Sequence, residues 1–112
     1  MDLILKCKNE IYNIGKTKTK RERSNLLKNF DNCVVTAIAE ISKNCLLGNI
    51  PLSKCNYNKI KKYKNDIRKI ANKRTTLKKR RNLIVQKGGF LNILIPTVLS
   101  LLANVIEKRL TK

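Results

Sequence analysis

The stretch LLKNFDNCVVTAIAEISKNC, residues 26–45, repeats its apolar side chains with the period of a helix. Steps of three and four residues separate Leu27, Phe30, Val34, Ile38, Ile41 and Cys45. Residues at this spacing share one face of an α-helix, which would be the buried face. We therefore predict a helix from about residue 25 to 46. Ser24 would be its N-cap, and Gly48 would supply the left-handed residue that ends it.

The segment that follows predicts a second helix and a third. Pro51 closes a short turn and Ser53 can cap a helix that runs to about Asn72. Ile60, Tyr63, Ile67 and Ile70 would form a narrow apolar stripe that faces the first helix. A short third helix, capped by Thr75 or Thr76, would then end at a glycine pair, Gly88 and Gly89. The fold class is all-α, a small helical hairpin or three-helix domain over residues 24–87.

Charge is distributed very unevenly along the chain. The 112 residues hold 26 Lys and Arg against 7 Asp and Glu, a net charge of +19. Residues 25–53 hold two basic and two acidic side chains, whereas residues 54–81 hold thirteen basic side chains and the single acid Asp66. A surplus of this size requires neutralisation by a polyanion or an anionic membrane surface. Its concentration in one segment indicates a dedicated electrostatic surface.

We predict that this segment contacts phosphate groups of double-stranded DNA without sequence preference, since no base-reading element is evident. The alternative, a merely solvated helix face, usually mixes both signs of charge. The predicted nucleic-acid-binding residues are Lys54, Lys59, Lys61, Lys62, Lys64, Arg68, Lys69, Lys73, Arg74, Lys78, Lys79, Arg80 and Arg81.

The first 23 residues lack a sustained apolar period. Gly15 is followed by the polar run KTKTKRER, residues 16–23. Segments with few apolar residues and high net charge rarely bury enough surface to fold. We therefore predict that residues 1–23 form a mobile basic arm.

The C-terminal segment has the opposite character. From Gly88 to Ile106 nineteen residues carry no charge. Residues 88–89 would form a flexible joint, and residues 90–112 an apolar amphipathic tail whose helix starts near Pro96. The tail could pack back onto the core, lie in an anionic membrane interface, or contact a partner such as a second copy. The residues predicted to make membrane or partner contact are Phe90, Leu91, Ile95, Val98, Leu99, Leu102, Val105 and Ile106.

Catalysis, metal binding and a cofactor are not expected. The chain has no His, and its few acids are dispersed, so no nucleophile and base can be paired. Cys7, Cys33, Cys45 and Cys55 form no CxxC motif. Because the N-terminus does not look like a secretory leader, we expect a reducing compartment, with Cys33 and Cys45 acting as small buried apolar residues.

The stretch LLGNIPLSKCNYNKIKKYKNDIRKIANKRTTLKKRRNLIVQKGGFLNILIPTVLSLL, residues 46–102, resembles the small basic protein of Polinton (Maverick) elements and adintoviruses. That family is similar in turn to the precursor of adenovirus core protein X, pre-Mu. In the adenovirus protein a basic segment precedes a Gly-Gly cleavage site and an apolar tail, an arrangement matched here by residues 88–102.

The resemblance implies a virion component that helps to condense double-stranded DNA in the virion and host nucleus. It also implies cleavage by an adenovirus-type cysteine protease at Gly88, Gly89 and Phe90, with the cut before Phe90. Two hypotheses follow. The first is a non-catalytic virion core protein whose tail contacts membrane or capsid protein. The second is a membrane-active, lytic or anchoring, virion peptide precursor. The oligomeric state stays open.

Overall fold

The computed structural model describes residues 4, 6–30 and 32–110, with side chains only as far as Leu101 and none for Asn29. Its α-helices are α1 (Lys8–Gly15), α2 (Lys20–Asn29), α3 (Asn32–Leu46), α4 (Lys54–Lys61), α5 (Lys64–Ala71), α6 (Leu77–Lys87) and α7 (Leu91–Leu110). A 3-10 turn, Gly88–Phe90, joins α6 to α7. No strand occurs in this part of the chain, and the predicted all-α class is confirmed.

Three of these helices begin at a hydroxyl side chain. Thr19, Ser53 and Thr76 have extended backbones, and each accepts a hydrogen bond from the amide three residues later at 3.2 Å. Such caps satisfy amides that have no partner within the helix. The prediction for Ser53 is confirmed, and Thr76 rather than Thr75 caps α6. Ser24 lies inside α2, because Thr19 caps the helix earlier in the chain: its hydroxyl accepts from the Glu22 amide and donates to the Glu22 carboxylate.

Helix α3 lies at the centre of the core. It packs against α5 and α6 on one side and contacts α1 and α7 as well. The predicted apolar stripes supply seven of the buried side chains: Leu27, Val34, Ile38, Ile41, Ile60, Ile67 and Ile70. Ile84 of α6 is buried beside them. Phe30, Cys33, Cys45 and Tyr63 are only half-buried, at the margin of this cluster. Gly48 has a φ of 76°, so the predicted left-handed residue after α3 is confirmed.

Both long predicted helices are interrupted. The first stops at Asn29, where Phe30 is extended, and restarts at Asn32. The second is interrupted at Lys62 and Tyr63, whose ring lies 5.9 Å from that of Phe90. Neither interruption coincides with a Gly or Pro, so the apolar period alone predicts continuous helices.

The predicted mobile arm is instead helical and packed over its described residues. Ile11 and Ile14 of α1 are fully buried, and α1 packs along α7. The physical reason is an apolar stripe with steps of three, four and three residues, formed by Ile4, Cys7, Ile11 and Ile14. The lysines between these positions are exposed. Because they are numerous, the apolar stripe was not recognised in the sequence. Residues 1–3 and 5 lie outside the described part.

The tail also belongs to the core over its described side chains. Phe90, Leu91, Leu94, Ile95 and Val98 are buried. Helix α7 begins at Leu91 rather than near Pro96, which lies inside it. Pro96 and Asn92 are both exposed, so water can hydrate the carbonyl that loses its partner at the proline. Of the alternatives given for the tail, the described side chains adopt the one in which the tail packs onto the core.

Gly88 and Gly89 permit close packing rather than a flexible joint. Gly88 has φ −77°, an ordinary helical value. A Cβ atom there would lie 2.9 Å from Cδ of Arg23, and one at Gly89 would lie 3.1 Å from the hydroxyl oxygen of Tyr63. The glycine pair therefore lets α2 and the α4–α5 junction approach the turn that leads into α7.

We predict that Gly15→Ala destabilises the fold. A Cβ at this position would lie 2.7 Å from Cγ2 and 3.0 Å from Cβ of Ile95, which is buried and branched next to its own backbone. Overpacking of this kind costs about 1–3 kcal/mol, more than the roughly 0.5–1 kcal/mol that Ala gains over Gly in a helix. Urea unfolding followed by circular dichroism measures the difference.

The matched control for this substitution is Asn13→Ala, at an exposed position of the same helix. It should leave the free energy of unfolding unchanged or raise it slightly. The double variant Gly15→Ala, Ile95→Leu, which removes the branch at Cβ, should recover part of the loss. Wild-type stability of Gly15→Ala alone would show that α1 and α7 do not approach this closely.

Candidate nucleic-acid interface

Most of the predicted phosphate-contacting residues form an exposed basic surface on α4, α5 and the start of α6. Eleven of the thirteen are exposed: Lys54, Lys59, Lys61, Lys62, Lys64, Arg68, Lys69, Lys73, Arg74, Lys78 and Lys79. On α5 the buried Ile67 and Ile70 fix the orientation, so that Arg68 and Lys69 lie on the opposite, solvent side. None of the eleven is seen to pair with a carboxylate in the described part of the chain. We call these eleven residues the basic surface.

A groove between the end of α5 and α6 brings several of its groups together. The groove has a volume of about 470 Å³ and is lined by Lys69, Thr75, Lys79, Asn82, Leu83, Gln86 and Lys87. Thr75 donates its hydroxyl proton to the carbonyl of Lys69 at 2.7 Å, which ties the turn before α6 to the end of α5. Ammonium groups and side-chain amides are donors that suit phosphate oxygens. The groove can therefore accept a phosphate backbone.

Five groove residues were absent from the predicted site: Thr75, Asn82, Leu83, Gln86 and Lys87. The prediction ended with the charge run at Arg81. A pattern in the sequence could have identified most of them. Three- and four-residue steps place one set of residues on the same face of α6: Lys79, Asn82, Leu83, Gln86 and Lys87. The polar side of that helix extends further along the chain than its charges suggest.

The N-terminus of α6 is electrostatically unusual. Its first turn holds Lys78, Lys79 and Arg80 and no acidic residue. The positive end of a helix macrodipole favours negative charge, so cations there are unfavourable in the absence of an anion. Local rules of this kind are most often broken at functional sites. The arrangement adds to the positive potential at the end of the groove where Lys79 lies.

Arg80 and Arg81 differ from the other eleven predicted residues because their guanidinium groups hold the fold together. Both are half-buried. Arg81 donates to the carbonyls of Leu27 and Phe30 and, at 3.1 Å, to Oδ1 of Asn32. It thus adds donors to carbonyls at and just beyond the end of α2, where helical hydrogen bonding stops.

Arg80 plays a similar part at the end of α5. It donates to the carbonyl of Asn72 at 2.7 Å, while its Nε is buried with no acceptor in the described residues. These two arginines are therefore left out of the basic surface. An arginine fork offers several donors for such carbonyls, which lysine cannot match.

Arg23 is a further structural arginine, and it lies within the segment predicted to be mobile. It is buried, with 5% of its surface exposed, and its Nε donates to the carbonyl of Val85 at 3.0 Å. Burial lowers the pKa of its guanidinium, an effect opposed by the Tyr63 hydroxyl and the Glu22 carboxylate. The hydrogen bond fixes α2 against the end of α6.

A second groove, of about 480 Å³, has different chemistry. Lys54, Lys61 and Lys64 border it, but Ile50, Leu52 and Ile60 line it together with Cys45. Burial raises the pKa of the Cys45 thiol, which favours its neutral form. The walls of this groove are largely apolar, and its donors for phosphate are the three lysines and the hydroxyl of Tyr57, with no side-chain amide among them.

The predicted cleavage and membrane-contact residues occupy the core rather than the surface. Gly88 and Phe90 are buried and Gly89 is half-buried, all within the 3-10 turn. Leu91, Ile95 and Val98 are buried as well, and Leu99 is half-buried. The side chains of Leu102, Val105 and Ile106 lie outside the described part. A protease or a membrane could reach most of these residues only after local unfolding.

No cluster of three or more Cys, Asp or Glu that could hold a metal ion is present among the described residues. The chain matches no protein-family profile, no curated protein and no solved structure. What the fold and the site define is a small all-α domain with a lysine-rich surface. The functional argument therefore depends on the geometry and charge of that surface.

Proposed function

We propose that this protein is a non-catalytic DNA-binding protein that contacts double-stranded DNA through the basic surface, without sequence preference. The observation that carries the proposal is the groove between α5 and α6, where Lys69, Lys79 and Lys87 converge with side-chain amides. Lysines that neutralise phosphates release condensed counterions, and this release drives binding to any sequence. Base readout is not expected, because the one exposed aromatic side chain of the basic helices is Tyr57.

Condensation requires contact with more than one duplex segment. Besides the basic surface, the chain exposes Lys16, Lys18, Lys20 and Arg21 at the end of α1 and the start of α2. A net charge of +19 on 112 residues would strongly reduce repulsion between neighbouring duplexes. We therefore propose DNA condensation as the role, in a virion core and in the host nucleus, as the resemblance to Polinton and adintovirus proteins implies.

Partners beyond DNA are part of the same proposal. Capsid protein or an anionic membrane would meet the tail, and an adenovirus-type cysteine protease would cut before Phe90. Proteases generally bind their substrates as extended segments, whereas Phe90 is buried in a helical turn. Cleavage would therefore have to follow local unfolding of this turn, so an unfolded or DNA-strained form would be the substrate.

The position of the groove lysines can be tested separately from total charge. The variant Lys69→Gln, Lys79→Gln, Lys87→Gln is compared with Lys8→Gln, Lys28→Gln, Lys43→Gln, whose three lysines are exposed on α1, α2 and α3. Both variants lose the same charge. The first should reduce the slope of log affinity against log salt by about three, since each lost phosphate contact reduces it by about one. Fluorescence anisotropy with a labelled duplex measures both slopes.

In the same titrations, the control variant should keep a slope close to that of the wild type. Circular dichroism should show equal helix content in all three proteins, because every substituted side chain is exposed. An equal reduction of the slope in the two variants would mean that DNA affinity depends only on the net charge of the protein. In that case the groove would not be the binding site.

The membrane-active alternative is favoured by one observation. Leu77–Leu101 is the one helical stretch of the described residues that is long and apolar enough to cross a membrane, with a mean hydropathy of 1.4 over an 18-residue window. The core helix of a water-soluble protein passes the same test, and Phe90 to Val98 includes five buried side chains. Leakage of anionic vesicles at concentrations that bind DNA would favour this alternative. We rank it second because α7 would first have to separate from α1.

A further inference from the structure

Two cysteines distant in sequence face each other where α1 meets α3. The Sγ atoms of Cys7 and Cys33 are 2.9 Å apart, although 26 positions separate the residues. A disulfide bond is about 2.0 Å long, so a shift of less than about 1 Å would bring the two atoms to bonding distance. Cys7 is buried, with 5% of its surface exposed, and Cys33 is half-buried. The pair is thus preorganised, and one member is accessible to solvent.

We propose that Cys7 and Cys33 are a disulfide-forming pair that covalently fixes α1 to the core. The oxidant would be a low-molecular-weight disulfide such as oxidised glutathione. The Cys33 thiolate attacks one sulfur of the oxidant and displaces a glutathione thiolate. The Cys7 thiolate then attacks the sulfur of Cys33 in this mixed disulfide and displaces the second. Two protein thiols are oxidised by two electrons, and one glutathione disulfide is reduced to two glutathione thiols.

The location of the pair gives the bond a structural consequence. Cys7 immediately precedes α1, and Cys33 lies in the first turn of α3. Helix α1 packs along α7, with Gly15 against Ile95. A bond between Cys7 and Cys33 would therefore hold α1 over the apolar face of α7. In the reduced protein α1 is held by packing and hydrogen bonds alone.

The other two cysteines serve as internal controls. Cys45 lines the apolar groove and Cys55 is exposed on α4. Neither has a second thiol within bonding reach in the described part of the chain. Sequence analysis cannot select among these pairings, because spacing alone does not indicate which cysteines meet.

The experiment uses the full chain carrying Cys55→Ala, which prevents intermolecular bridging through the exposed thiol. The protein is incubated with oxidised glutathione, remaining thiols are alkylated, and proteolytic fragments are analysed by mass spectrometry. The expected product has lost about 2 Da relative to the reduced protein, with Cys7 and Cys33 linked and Cys45 alkylated. Its melting temperature should rise by on the order of 10 °C and return to the reduced value with dithiothreitol.

Hydrogen exchange provides a second readout that locates the effect. Oxidation should slow amide exchange more in α1 than in α5, because the bond directly restrains the segment that contains α1. The variant Cys33→Ala, Cys55→Ala should show neither the mass change nor the shift in melting temperature. A stable mixed disulfide on Cys33 without ring closure would overturn the proposal. A disulfide bond through Cys45 would overturn it as well, and so would an oxidised protein with the same melting temperature as the reduced protein.

Discussion

A chain truncated after Gly89 is expected to be unfolded in solution. The truncation removes Phe90, Leu91, Leu94, Ile95 and Val98, all buried in the core. Burial of one such side chain contributes about 1.5–3 kcal/mol, so their combined loss is on the order of 10 kcal/mol. Domains of this size have total stabilities of about 5–15 kcal/mol. The loss would also expose Ile11 and Ile14, which α7 covers.

Far-UV circular dichroism and thermal melting measure this outcome. The truncated chain should lose most of its helical signal and its cooperative transition. In the full chain, Phe90→Ala should cost about 3–5 kcal/mol, whereas Asn92→Ala, at an exposed position, should cost little. A truncated protein that melts cooperatively with wild-type helix content would contradict the packing of α7 on α1.

DNA binding alone would not reveal this unfolding. The truncated chain keeps all eleven residues of the basic surface, and an unfolded polycation also binds duplex DNA. Retained binding could therefore be mistaken for a separable DNA-binding domain. The decisive measurement is helix content and cooperativity, with DNA affinity recorded beside it.

The sequence predicts the central part of the fold well, for a clear physical reason. Val34, Ile38 and Ile41 repeat at the helical period in a segment with few charges, and all three are buried. Ile67 and Ile70 are recognisable even among lysines, because side chains on the opposite face of a helix can be charged without affecting the buried face. Caps are similarly local, so Ser53 could be identified from its position after Pro51.

The failures come from features that depend on distant contacts. Helix α1 is stable because α7 packs against it and its Ile11 and Ile14 are buried. Nothing within residues 1–23 indicates that α7 is the packing partner. Glycine is equally ambiguous, since the same residue provides freedom in a loop and close approach in a core. At Gly88 the side chain that requires a glycine is that of Arg23, which is distant in sequence.

The candidate site was also predictable only in part. Lys69 and Lys79 were identified from charge alone, whereas Asn82 and Gln86 carry no charge. Their spacing places them on one face of α6 with Lys79, but only the packing of α5 beside α6 makes that face the wall of a groove. Arg81 was assigned to phosphate because its charge is part of the run, whereas its guanidinium is used by the carbonyls of Leu27 and Phe30. Charge density indicates a surface, and tertiary contacts determine which of its members are available.

Raising the salt concentration from 50 to 200 mM is expected to weaken binding to duplex DNA by about 10³-fold or more. The basic surface offers eleven exposed cations, and contact of six to ten with phosphates gives a loss of about 10³–10⁵ over this range. Fluorescence anisotropy with two duplexes of equal length, one rich in A·T and one in G·C, measures the slope. The two duplexes should give the same slope and affinities within a few-fold.

The slope distinguishes a folded binding surface from diffuse attraction. If the groove organises the contact, the variant that lacks Lys69, Lys79 and Lys87 should have a shallower slope than the control of equal charge. A salt-independent affinity would exclude phosphate contacts as the source of binding. A large difference in affinity between the two duplexes would instead require readout of base edges or DNA shape. The exposed lysines of α4, α5 and α6 provide no fixed geometry for such readout, because a flexible ammonium group acts on phosphate as a point charge.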